Sequence, residues 1–178
     1  MKKIIIIAVA ILCGLTAKAQ EWNVGGGFAH SGYSQTSNHH NGFYLALGYD
    51  YLIEGALSFS PALMIQNEFG HHNNIKYASW NAIIPLQGKV TVDVTNNVRG
   101  FVFGGPSLSY NLSNKLNGQQ SYDYFHRGNI FIGAGIGVDV DGMYRIKFGY
   151  DYGLVDVYKD KNITAHKEMI TLGVAYLF

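Results

Sequence analysis

The chain has 178 residues, of which 48% are hydrophobic, 14% aromatic and only 14% charged, with a formal net charge of +1. That length fits one domain, and so balanced a charge offers no basic surface for nucleic acid, so no nucleic-acid partner is expected. The only cysteine, Cys13, excludes disulfide frameworks and thiolate metal sites together.

The chain opens on an address. Lys2 and Lys3 give a positive start, residues 4–15 an apolar run, and Ala17-Lys18-Ala19 an A-x-A cleavage site, which together read as a secretory signal peptide over 1–19. The domain is then 20–178, beginning at Gln20. Leu12 stands where a lipoprotein site wants a small residue, so Cys13 is not expected to be acylated. The apolar run is shorter than the about 20 residues of a membrane-spanning helix, so any membrane residence must come from β-structure. Three of the thirteen basic residues, Lys2, Lys3 and Lys18, leave with the signal. Ten then face twelve acids, a net charge of −2.

From there the sequence alternates with period two, the mark of strands with two unlike faces. The alternation predicts strands over 22–30, 42–52, 56–69, 77–92, 98–111, 128–140, 144–155 and 167–178. Phe43, Leu45, Leu47, Tyr49 and Tyr51 alternate with Tyr44, Ala46, Gly48 and Asp50. In the last strand Ile170, Leu172, Val174, Tyr176 and Phe178 oppose Thr171, Gly173 and Ala175. Connections 31–41, 70–76, 112–127 and 156–166 are polar and read as long loops, while those near 53–55, 93–97 and 141–143 are short. Transmembrane barrels show this asymmetry, with short periplasmic turns and longer extracellular loops. An even strand count puts both termini on the periplasmic side. Pro61, Pro85 and Pro106 fall inside strands, where local bulges are expected.

A lipocalin-like soluble barrel also alternates, with its apolar face inside. Side-chain size separates the two. The polar face is built of small residues such as Gly48, Ser58, Ser107, Gly135, Gly149 and Gly173 with scattered charges, which suits the narrow interior of eight strands. Trp22, Tyr51, Trp80, Tyr110, Tyr144 and Tyr176 near strand ends would form interfacial girdles. The fold expected is all-β, an eight-stranded antiparallel up-and-down transmembrane β-barrel.

Two stretches, Trp80-Asn81-Ala82-Ile83-Ile84-Pro85-Leu86-Gln87-Gly88-Lys89 and Gly104-Gly105-Pro106-Ser107-Leu108-Ser109-Tyr110, together with Arg145-Ile146-Lys147-Phe148-Gly149-Tyr150-Asp151-Tyr152-Gly153-Leu154, resemble the small PorT-like outer-membrane barrel domains common in Bacteroidetes. The likeness runs over the whole domain and is more distant to barrels of the OmpA and OmpX type. It implies residence in the cell outer membrane among lipopolysaccharide, contact of the barrel-assembly machinery with the strand ending at Phe178, and partners among other envelope proteins. The namesake implies a part in protein secretion, which maps onto no particular residue here.

Turned inward, the polar faces collect Asp50, Glu68, Asp139 and Asp151 against Lys89, Arg99, Arg145 and Lys147. Four acids against four bases in a narrow lumen are expected to pair into a plug, because unpaired charges there are costly. A structural or interaction role at the cell envelope follows, with a narrow pore as the alternative. The histidines suggest another. His39, His40, His71, His72 and His126, with His30 and His166, all fall in or beside the predicted loops, and imidazole suits zinc, copper, nickel or iron. With Asp123, Asp156 and Asp160 they would be candidates to capture a metal or haem, although no recognised ligand spacing is present and no resident cofactor is expected.

A lipid A-modifying enzyme is the third alternative. Barrels of the deacylase type use a His and a Ser two apart, whereas this chain has no H-x-S, and His30 and Ser31 are neighbours on opposite faces of a strand. No nucleophile and base are visibly within reach of each other, so no catalytic residues are assigned and no enzyme is expected. Gly133-Ala134-Gly135-Ile136-Gly137 lies in a strand with no helix after it, so a dinucleotide-loop reading fails its context.

Overall fold

The computed structural model describes residues 20–34, 36–72, 75–120, 126–156 and 165–178. The signal-peptide reading of 1–19 lies outside them, as do Asp123, Asp160 and the side chains of His71 and His72. The elements are β1 (Gln20–Tyr33), β2 (Thr36–Glu54), β3 (Leu57–His72), β4 (Ile75–Thr95), β5 (Val98–Leu116), the two-residue β6 (Gln119–Gln120), β7 (Gly128–Val140), β8 (Tyr144–Gly153) and β9 (Lys167–Leu177). Each long strand pairs antiparallel with the next, β5 pairing with β7, and β1 with β9 completes the ring. The result is the closed eight-stranded up-and-down barrel read from alternation, with β6 folded back on the end of β5.

Local chemistry sets the turns. Gly55, with φ of 55°, opens the two-residue link between Glu54 and Leu57, and Asp141 and Gly142 take φ of 53° and 65° between β7 and β8. Positive φ at such positions matches the turn to the twist of the strands it joins. Just past β9, Phe178 exchanges backbone hydrogen bonds of 3.0 and 2.9 Å with Trp22 of β1.

Two of the four predicted long loops are instead mostly ladder, and a third is ladder in part. β1 runs to Tyr33 and β2 starts at Thr36, with Tyr33 paired to Thr36; β3 and β4 pair out to His72 and Ile75; β5 continues to Leu116 and turns at Asn117-Gly118. The ends therefore differ by how far the strands project. β2, β4 and β5 have 19, 21 and 19 residues, against the about 9–11 that a tilted strand needs to cross a bilayer. Polar residues extend the ladders because interstrand backbone bonds form whatever the side chain. The expected bulges at proline are also corrected. Pairing lapses opposite Pro85, leaving Ala62 and Leu63 without partners on β4, and at Gly105 and Pro106, then resumes in unchanged register. Proline removes a donor without adding a residue, so it opens a gap and shifts nothing.

The two faces are reversed relative to a soluble barrel. Leu45 is 74% exposed and Val174 64%, while Gln66, Glu68 and Ser79 are wholly buried. Trp22, Tyr144 and Tyr176 ring the turn end outside, and Trp80 and Tyr110 the loop end, as the girdle reading expects. Tyr51 beside the first group is half-buried.

Candidate functional site

Inside, the side chains form three layers. At the turn end Asp50 of β2 meets Lys89 of β4 and, at 2.8 Å, Arg145 of β8. Arg145 also forks onto Asp139, its partner across β7, with Nε donating to Oδ1 at 2.7 Å and Nη2 to Oδ2 at 2.9 Å. Two parallel bonds of this kind fix geometry as well as energy. Arg99 of β5 stands 3.7 Å from Asp139 and 3.3 Å from Glu21 of β1 at the rim. Lys89 and Arg145 lie over the Phe101 ring, 5.4 and 5.0 Å from its centroid, a cation–π stack. Phe101 finds room because its partner across β7 is Gly137, where a Cβ would strike the ring.

The middle is mostly apolar. Ala29, Tyr44, Met64, Ile83 and Met169 pack into one cluster. Lys147 borders it, donating to Gln87 Oε1 at 3.1 Å and lying 4.3 Å over Phe103. Asp151 is buried there, its Oδ1 without a hydrogen-bond partner among the described residues, beside a cavity of about 80 Å³.

At the loop end one carboxylate gathers everything. Glu68, wholly buried, lies 2.6 Å from Lys167 Nζ of β9. Ser31 Oγ and Gln66 Nε2 donate to its Oε1 at 3.0 Å each, and Ser79 Oγ and Asn81 Nδ2 to its Oε2 at 3.2 and 3.3 Å. Asn111 extends the set by donating to Asn81 Oδ1 at 2.9 Å.

Of the eight charges that alternation turned inward, Asp50, Lys89, Arg99, Asp139 and Arg145 meet one another. Glu68 and the Lys147–Asp151 region lie at other heights. Two partners were missed, Lys167 and Glu21. Both share the inward parity of their strands, with Met169 and Thr171 in one case and Asn23 and Gly25 in the other, and that signal was present in the sequence. Phe101 and Phe103 were missed as interior residues too.

The candidate histidines whose side chains are described are dispersed. His39 and His40 are consecutive in β2, so they leave opposite faces. His39 stacks outside on His30 at 5.3 Å, and His30 Nδ1 is 2.8 Å from Asn41 Oδ1. His40 is buried inside, 4.2 Å from the ring of Tyr77. His126 is exposed, and His166 Nε2 lies 3.8 Å from Asp156 Oδ1. Among the described residues no three His, Cys, Asp or Glu side chains are grouped to hold a metal ion.

Comparison with known structures finds the same architecture. Neisserial surface protein A shares 16% identity, with a TM-score of 0.60 over 89% of this chain and 97% of its own. Ail, the attachment invasion locus protein of Yersinia pestis, crystallised with the heparin analogue sucrose octasulfate, also shares 16%, at 0.56 over 89% and 99%. The outer membrane enzyme PagL shares 10%, at 0.55 over 86% and 97%. At such identities the likeness is one of fold. No curated protein matches the sequence. The family model of the outer membrane protein beta-barrel domain matches residues 5–178, and with a closed barrel whose apolar face points outward, the chain belongs to that outer-membrane β-barrel family.

Proposed function

We propose that this outer-membrane barrel is closed to flow and works through its loop end, as a structural or interaction protein of the cell envelope. The observation that carries the reading is the layered interior: an ion-pair layer, an apolar layer and a second polar layer fill the lumen in series. Charged groups so placed are held by their partners, since moving one of them out separates it from its counter-charges. The short-turn end faces the periplasm and the projecting β2–β5 ladders face outward, as is usual for such barrels. Catalysis is not part of this reading: the serines that reach a carboxylate, Ser31 and Ser79 on Glu68, are buried inside the lumen. A secretion-accessory role, which the PorT-like resemblance implies, would use the same projecting end.

Purified protein in planar bilayers is expected to show no large steady conductance. Sustained openings on the nanosiemens scale would overturn the plug. The interaction role is tested by photo-crosslinking in cells from probes at Asn38 and Gln119, at the tips of the ladders. A reproducible protein adduct supports it, and adducts to lipopolysaccharide alone reject it.

A further inference from the structure

The outward face of β1–β5 changes character over two rows at the loop end. One row in register across the five strands reads Phe28, Phe43, Asn67, Trp80 and Ser113. Here Phe28 and Phe43 meet edge to face at 5.9 Å, and Phe69 of the next row lies 6.1 Å from Phe43, an exposed aromatic shelf. That next row reads His30, Asn41, Phe69, Ala78 and Lys115. One step further out, Lys76 sits diagonal to Lys115, its backbone fixed on both sides by Asn117 at 2.8 Å. Ala78 stands between Phe69 and Lys115, and with Asn41 and Lys76 it borders an open groove of about 580 Å³.

Charge on this face has one sign. Among the described residues no Asp or Glu stands in these rows, and the acid at the height of Lys76, Glu168, is four strands away on β9. At about 4.8 Å per strand that separation is roughly twice the screening length at physiological salt. Exposed aromatic rings with two lysines one and two rows further out match one kind of molecule, with acyl chains below and a phosphate above.

We propose that the groove over β2–β4, with Lys115 of β5 beside it, is a site for an anionic lipid of the surrounding leaflet. Its phosphate sits on Lys76 and Lys115, His39 and Asn41 stand as further hydrogen-bonding groups, and the chains run along Phe43, Phe69 and Trp80. This rests on the membrane reading above. The site adds a lipid contact to the protein contacts of that reading, held from the side of the barrel and not from its mouth.

The chain has two tryptophans, Trp22 and Trp80, one at each end of the apolar band, so Trp22→Phe leaves a reporter in the shelf. This protein, refolded into phosphatidylcholine vesicles, is compared with 10% of the lipid replaced by chain-brominated phosphatidylglycerol or by chain-brominated phosphatidylcholine. Basic residues near a bilayer enrich anionic lipid on the order of fivefold each, so the anionic quencher should dim Trp80 at least twofold more. Lys76→Gln with Lys115→Gln should remove the excess and leave quenching by phosphatidylcholine unchanged. Lys76→Arg with Lys115→Arg should keep it. Equal quenching by both lipids, an excess that survives the glutamines, or the same excess at Trp22 in Trp80→Phe overturns the site. Quenching by neither lipid means that the barrel has not inserted, and the membrane reading falls with the proposal.

Discussion

The two polar layers solve the same problem in different ways. At the turn end three acids, Glu21, Asp50 and Asp139, share three bases, Lys89, Arg99 and Arg145, so most of these groups have more than one counter-charge. At the loop end a single acid, Glu68, has a single base, Lys167, and the remaining lone pairs are met by neutral donors from Ser31, Gln66, Ser79 and Asn81. The difference teaches where the fold is redundant. Removing Arg145 from the shared network leaves each of its two acids another base, whereas the loop-end set has one centre and fails with it.

The sharpest way to break this comparison is Glu68→Ala. It strands Lys167 and four donors in a closed space, so a loss of about 3–5 kcal/mol is expected, read from urea unfolding in vesicles by tryptophan fluorescence. Arg145→Met should cost less, about 2 kcal/mol as for a hydrogen bond to a charged group, because Asp50 keeps Lys89 and Asp139 keeps Arg99. If Arg145→Met proves the costlier of the two, redundancy at the turn end is refuted. The apolar layer between them is probed by Gly173→Ala, whose new Cβ would meet the Tyr44 hydroxyl. Overpacking should cost about 1–3 kcal/mol. Adding Tyr44→Phe should recover part of it in a double-mutant cycle, and strict additivity would place the strain elsewhere. The smallest effect is expected from Arg99→Ala. Its pair with Glu21 is about a third exposed on each side, so less than about 0.5 kcal/mol should be lost, with the closed lumen unchanged in bilayer recordings.

Alternation made the barrel legible, and its limits show where alternation stops carrying information. Strands from Phe43 to Asp50 or from Ile170 to Phe178 have an apolar and a polar face, so the period of two is visible. Past the membrane boundary both faces are polar, as at His39, His40 and Asn41, and the period vanishes although the ladder continues. That is why 31–41 read as loop when most of it is strand. Asn117-Gly118 was a legible hairpin signal that was passed over inside a polar stretch. The interior charges were assigned to the right face because parity is local. Their pairing was not legible, since Glu68 and Lys167 meet across 99 residues and only register gives the height of each along the lumen. The adjacency of His39 and His40 invited a shared-ligand reading, but the strand sends these neighbours apart.

The seam between β1 and β9 has a kinetic consequence. The ring closes only when its first and last strands pair, from Asn23 with Leu177 to Tyr33 with Lys167, and when Trp22 and Phe178 exchange their backbone bonds. Until β9 arrives, every shorter assembly presents two open edges, and hydrocarbon offers no water to satisfy them. No partial barrel is therefore a resting place within the bilayer. Assembly must hold the growing sheet shielded until the final strand is available, because the closing contact joins the two ends of the domain.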